Sequence, residues 1–499
     1  MKDNIKIITL LVMLFTVVSK VTGFVREQII ALKYGASNTA DIFMTAFSIP
    51  VYISNIIGGI IISVFIPLFV EVEKKEGLQN AKEFASRLFT FLTSVLFILL
   101  IFLLLGNSYL EKWLFGENID TPVLMFILPV TFFMSISIFF TSYLNANKKY
   151  VLPQFSSIVM NVAFIAIVFL LSSNIYILLL ASIISSILQL LYLYWTIVKQ
   201  GFRPKLQFKF DSKLKEFLIL ALPIFLGSMS VQSFTIFDKI FAKNLPEGSI
   251  SSLGYAQKLT QLPMGIIATT ISTIIFSKLA EYVATKEYKL INNTLFNGLK
   301  VTTIITLPLV LMFYIYSEAI TEFIYGRGAF DNKAINLTVE AMKMYSLGII
   351  GSSLTMIISR VFLSSKRVKI VVLSNIGSAI VNVILAFFLV KFYGHKGLAL
   401  ANSIAYTLNF LVLFTIYFIE QSKEHIIKQY VVLIAKVIAV TTCMCVFMNY
   451  SLKLVNNSYV YLICFAILSC LLYLVLCIFL RIVTIKDLKI QSKEQGESV

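Results

Sequence analysis

The chain has 499 residues, 58% of them hydrophobic and 13% charged, with a formal net charge of +17. A water-soluble domain keeps about a quarter of its residues charged, so this composition excludes an ordinary soluble globule and leaves an all-α membrane protein. The positive balance does not indicate nucleic acid as a partner, because Lys and Arg sit in short loops between apolar runs, where membrane topology accounts for them.

A helix needs roughly 20 mostly apolar residues to cross the hydrocarbon layer. About fourteen such stretches follow one another, near 7–33, 41–70, 88–110, 121–145, 151–173, 175–198, 215–243, 250–280, 296–317, 336–363, 369–391, 397–419, 430–450 and 458–481. The first runs into charged SKVTGFVRE with no small-residue cleavage site, so it is read as a retained span. On it Ser19, Gly23 and Arg26 share one helical face, and Lys20 and Glu27 a neighbouring one. Charge inside a span is costly and turns to a cavity or a partner. The stripe therefore either contacts a ligand, or Arg26 and Glu27 reach the outer interface and pair with Asp41, which opens the second span. From Val51 to Ile61 the second span carries no charge.

The basic stretch 199–214 divides the chain. Beyond it the seventh span carries Asp238 and Lys239, and the eighth carries Lys258, which is expected to face inward as an anion contact. Glu340 and Lys343, three residues apart in the tenth, are expected to pair. The first, second, seventh, eighth and tenth spans are broken by Gly, Pro or charge and are expected to bend. All five cysteines lie in the last two spans without metal-ligand spacing, and read as packing residues. Loop charge alternates along the chain, which places both termini in the cytoplasm.

Ala40–Pro50 reads like Leu253–Pro263, and Ser63–Val72 like Thr273–Tyr282, with the same orientation six spans apart. The expected architecture is an N-terminal lobe over 1–198, the linker 199–214, a C-terminal lobe over 215–419, and an added helix pair with its tail over 420–499. A parallel repeat relates the two six-helix lobes, and folds of this kind place substrate near the membrane midplane. With two histidines, no GxSxG elbow, no phosphate-binding Gly loop and no paired-carboxylate motif, an enzyme is not expected.

Four strings carry a family resemblance: Ser19–Pro50, Gly254–Ile266, Tyr325–Asp331 and Gly394–Ala405. In this order they resemble the signatures of the MurJ (MviN) lipid II flippases. The resemblance implies the fourteen-helix fold of the multidrug/oligosaccharidyl-lipid/polysaccharide exporters. It also implies a monomer carrying undecaprenyl-diphosphate-linked peptidoglycan precursor, lipid II, between leaflets by alternating access. Arg26 matches a family arginine that holds the diphosphate, while Lys20 and Lys258 stand where others are arginine. With Ser19, Glu27 and Asp41 these form the implied substrate-binding set. The family's second-span arginines are missing from Val51–Ile61, which keeps open a MurJ-like flippase for another lipid-linked oligosaccharide (capsule, exopolysaccharide or teichoic precursor). Some members hold Na+ as a coupling ion; by resemblance Asp238, Ser378 and Asn382 would form that site. No other cofactor is implied.

Overall fold

The computed structural model describes residues 2–116, 122–171, 173–421, 424–454, 459–480 and 482; the basic tail with Lys486, Lys489 and Lys493 lies outside them. Among the described residues there are helices and no strands. In chain order they begin α1 Lys2–Tyr34, α2 Asn38–Ile60, α3 Ile66–Glu76, α4 Leu78–Leu105, α5 Asn107–Phe115 and α6 Val123–Ala146. Then come α7 Val151–Leu170, α8 Ile175–Lys199, α9 Ser212–Ala242, α10 Ser249–Ala284, α11 Tyr288–Ile315 and α12 Ser317–Tyr325. The series ends with α13 Asn332–Ser364, α14 Val368–Tyr393, α15 His395–Gln421, α16 Glu424–Leu454 and α17 Tyr459–Phe479.

Every expected span falls on one of these helices or on the run α2–α3. Among the described residues ten helical stretches, with α2–α3 counted as one, are long and apolar enough to cross a membrane, or eleven if the bent α10 counts as one span. That measure gives fewer spans than the fourteen or so expected from the apolar runs. The internal repeat is visible in two helices that the apolar runs did not predict. α4, of 28 residues, is followed by the 9-residue α5, and α11, also of 28, by the 9-residue α12.

Two of the spans expected to bend carry a break in regular α-helix or a proline. Between α2 and α3 the chain passes through a π-helix, Ile61–Phe65, just after Gly58 and Gly59, where an extra residue per turn offsets the axis. In α10 the segments Ser249–Gly265 and Thr270–Val283 meet at 41°. Pro263 lies just before the bend, and its ring removes an N–H and crowds the preceding turn.

The chain forms two compact units. The first runs to Ser251 and takes in Arg327–Ala334; the second holds Ser252–Gly326 and the described residues from Ile335 onward. Inside the first, an aromatic knot joins α4, α6 and the π-helix: Phe65 lies 5.2 Å from Phe139, and Phe69 5.4 Å from Tyr143. In lipid, close packing and internal hydrogen bonding replace the hydrophobic drive as the force between helices. The basic stretch 199–214 is extended and fastened to this unit. Phe202 stacks on Tyr143 at 4.1 Å, Lys82 donates to the Gly201 carbonyl at 2.8 Å, and the Gln207 N–H donates to Thr90 Oγ1 at 2.9 Å. Asp211, the residue just before α9, pairs with Arg87 and caps α9 by accepting the Leu214 N–H. The second unit packs α11, α13, α15, α16 and α17 around Leu299, Ile357, Leu413, Val437 and Met444. Of the five cysteines, Cys477 is buried, Cys445 and Cys470 are half-buried, and Cys443 and Cys464 are exposed.

Candidate substrate-binding site

The polar stripe of α1 is held by α7. Asn161 of α7 donates to the Ser19 carbonyl at 3.4 Å and to Thr22 Oγ1 at 3.3 Å. Gly23 leaves room for that amide, since a Cβ there would stand 3.4 Å from it. One turn further, Arg26 enters an aromatic slot, its guanidinium 5.7 Å from the Phe47 ring centroid of α2 and 5.5 Å from Phe164 of α7. Its only ion pair among the described residues is with its neighbour Glu27, at 3.0 Å, and the two side chains are 14% and 10% exposed. A guanidinium carries five N–H donors; here one is engaged, and Nε has no hydrogen-bond partner among the described residues. A half-neutralised cation kept from water and backed by ring faces is arranged to meet an anion. Lys20 is exposed on the same helix.

Asp41 does not pair with Arg26. Its two carboxylate oxygens accept the Gly248 N–H at 2.8 Å and the Ser251 N–H at 2.6 Å, at the start of α10. Glu247 returns the favour, accepting the Asn38 N–H at 2.6 Å at the start of α2. Each carboxylate serves the positive end of the other's helix. Nearby, Lys239 of α9 donates to the Met44 carbonyl of α2.

A third tie explains one of the sequence strings. The loop after α12 lies on the end of α1, with the Ala329 N–H donating to the Leu32 carbonyl at 2.8 Å. Gly35 (φ 59°) and Gly328 (φ 63°) both adopt the left-handed region, and a Cβ on either would strike the opposing carbonyl, of Ala329 or Leu32. Only glycine suits both demands.

In the second unit, Lys258 is exposed on α10. Ser378 donates to the Ala405 carbonyl at 2.8 Å, while Asn382, one turn on and fully buried, has both amide atoms without a described partner. A buried, unspent carboxamide oxygen beside a hydroxyl that retains its lone pairs fits an oxygen ligand for a hard cation. Asp238, buried on α9, belongs to the first unit. Glu340 turns to Lys396 at 3.3 Å and to His395 at 3.8 Å rather than to Lys343.

One cation escaped the sequence reading. Arg360, inside α13, donates from Nε to Ser272 Oγ at 2.6 Å and lies 5.4 Å from the Phe276 ring. The available signal was a lone Arg in the apolar run MIISRVFL; its closeness to the basic pair Lys366 and Arg367 hid it as loop charge.

Comparison with known proteins matches most of the chain. The family model described as "Lipid II flippase MurJ" matches residues 30–470. The probable lipid II flippase MurJ of Buchnera aphidicola subsp. Acyrthosiphon pisum is 28% identical over 422 residues, covering 81% of each chain. A solved structure of lipid II flippase MurJ in an inward closed conformation superposes with a TM-score of 0.80 at 26% identity, over 94% of this chain and 99% of the other. An inward-facing multidrug resistance MATE transporter of the MOP superfamily gives a TM-score of 0.68 at 14% identity, covering 81% and 94%, and shares the fold.

Proposed function

The chain belongs to the MurJ lipid II flippase family, and from that premise we propose how it handles its substrate. It is a lipid II flippase, a multi-span membrane transporter serving peptidoglycan synthesis. The diphosphate of lipid II carries at least two negative charges and cannot cross hydrocarbon unaided. Arg26 takes over the hydration of one phosphate oxygen set, Glu27 holds the guanidinium in place, and Phe47 and Phe164 keep water from competing. Lys20 supplies further positive charge and Ser19 lines the approach, while in the second unit the exposed Lys258 offers an anion contact of its own. Asp41 contributes by fixing the helix starts. The polyprenyl tail stays in lipid while the headgroup is exposed alternately to the cytoplasmic and outer faces. The protein works as a monomer in the inner membrane with both termini in the cytoplasm.

The observation that carries this reading is the set of unspent donors on Arg26 in a setting shielded from water. Na+ is the proposed coupling ion, with Asn382 and Ser378 of the second unit among its oxygen ligands. Depletion of a cell's own lipid II flippase tests the whole reading. This chain should sustain growth, and Arg26→Ala, inserted at normal levels, should not. Normal expression without rescue would transfer the assignment to another lipid-linked oligosaccharide.

A further inference from the structure

The second unit contains a cavity of about 280 Å³ walled by α10, α13, α14 and α15. Among the described residues no charged side chain lines it; its polar wall is made of carboxamides and hydroxyls. Neutral polar groups gathered inside a membrane segment are costly unless something satisfies them, so their chemistry describes the occupant.

The hydroxyls have already committed their hydrogens. Ser352 donates to the Gly348 carbonyl, Ser359 to the Thr355 carbonyl and Ser403 to the Met344 carbonyl, each at 2.7 Å. Toward the cavity these oxygens therefore act as acceptors. Donors come from amides: the side-chain carboxamides of Gln257 and Gln261 make no hydrogen bond to any described residue. Asn375 accepts the Asn409 Nδ2–H at 2.9 Å, and its own NH₂ group is left for a ligand. Asn409 in turn is fixed by Ser374, so the wall is held in place.

An anion fits poorly, since the hydroxyl hydrogens point away and no cation is present. A bare cation needs oxygens converging to roughly 2.3–2.6 Å. A space of about 280 Å³, some nine water volumes at roughly 30 Å³ each, is far wider. A neutral polyol meets both halves of the wall, with its O–H groups donating to the hydroxyl lone pairs and its oxygens accepting from the amides. Tyr345 and Tyr406 add ring surface for its C–H faces.

We propose that this cavity binds a neutral sugar ring of the transported saccharide. It rests on the flippase reading for what the ring is attached to, but not for the ring's own recognition. The groups that recognise the ring all belong to the second unit.

The test uses the purified full-length chain in lipid nanodiscs, with N,N′-diacetylchitobiose as neutral-sugar probe and inorganic pyrophosphate as anion probe. Saturation-transfer NMR and calorimetry should show sugar binding that Gln257→Leu with Gln261→Leu weakens at least tenfold, with pyrophosphate binding unchanged. Asn375→Ser, a milder change, should weaken the sugar severalfold and serves if the double variant does not fold. Sugar affinity within twofold of wild type in either folded variant overturns the proposal. So does Na+ alone, without sugar, giving a thermal shift that the variants lose, because that marks an ion site. Loss of sugar binding in the variants, combined with a wild-type chain that fails to flip lipid II, would leave the sugar site standing and remove the flippase reading.

Discussion

At Arg26 the surroundings decide what a substitution costs. Lysine keeps the charge but loses the planar fork and the ring stacking. A charge-assisted phosphate contact is worth roughly 1.5–3 kcal/mol, so Arg26→Lys should lower flipping about ten- to hundredfold in a proteoliposome assay while leaving expression intact. Unchanged flipping would remove Arg26 from the binding site. Ser54, in the uncharged part of α2, is the natural place to restore a family-like arginine, but it is 1% exposed and hydrogen-bonds Ser135 of α6 at 3.3 Å. A guanidinium there would be buried against a neighbouring helix, so Ser54→Arg should lower thermal stability in detergent without gaining transport. The Arg26 stripe was legible because a charge inside an apolar run stands out. Phe47 and Phe164 were not, because in a chain this rich in Phe nothing local marks the two that face a cation. The engagement of Asp41 by Gly248 and Ser251 was equally hidden, since it joins positions some two hundred residues apart through backbone groups that carry no sequence signal.

Helices show the same division between what periodicity records and what contact decides. Long apolar runs announce themselves by length, which is why every expected span falls on a helix. α5 and α12, of 9 residues each, are too short to cross hydrocarbon and too mixed in composition to register. The bend in α10 was anticipated from Pro263, whereas the π-helix before α3 depends on how Ile61 and Phe65 pack against α4 and α6. Pro263→Ala should restore the missing N–H and straighten α10. Spin labels near Leu253 and Tyr282 would then move apart, and an unchanged distance distribution would show that packing alone sets the 41° angle. At the junction of α1 with the loop after α12, Gly35→Ala combines a disfavoured φ with a carbonyl clash. It should cost about 2 kcal/mol or more, read as a lowered Tm; a Tm equal to wild type would mean that the loop is not fixed there.

Across the whole chain the two compact units do not follow simple sequence order. The first is completed by Arg327–Ala334, which come long after Ser251. Their docking onto Leu32 and Gly35 gives a physical role to the YGRGAFD string that its order along the chain could not reveal. A fragment ending at Ser251 should insert yet be cut by protease near Tyr34, and adding Tyr325–Asp331 as a separate peptide should slow that cut. Equal cutting with and without the peptide would show that the loop contributes nothing to the unit. The arrangement also sets a timetable for synthesis. A ribosome adding about 5–20 residues per second needs roughly 4–15 s to cover the interval of about 75 residues that separates Ser251 from Arg327. Throughout that delay the end of α1 waits in the membrane without its last contact. The newborn first unit is therefore an unfinished object that the insertion machinery must shelter until its own later sequence arrives to close it.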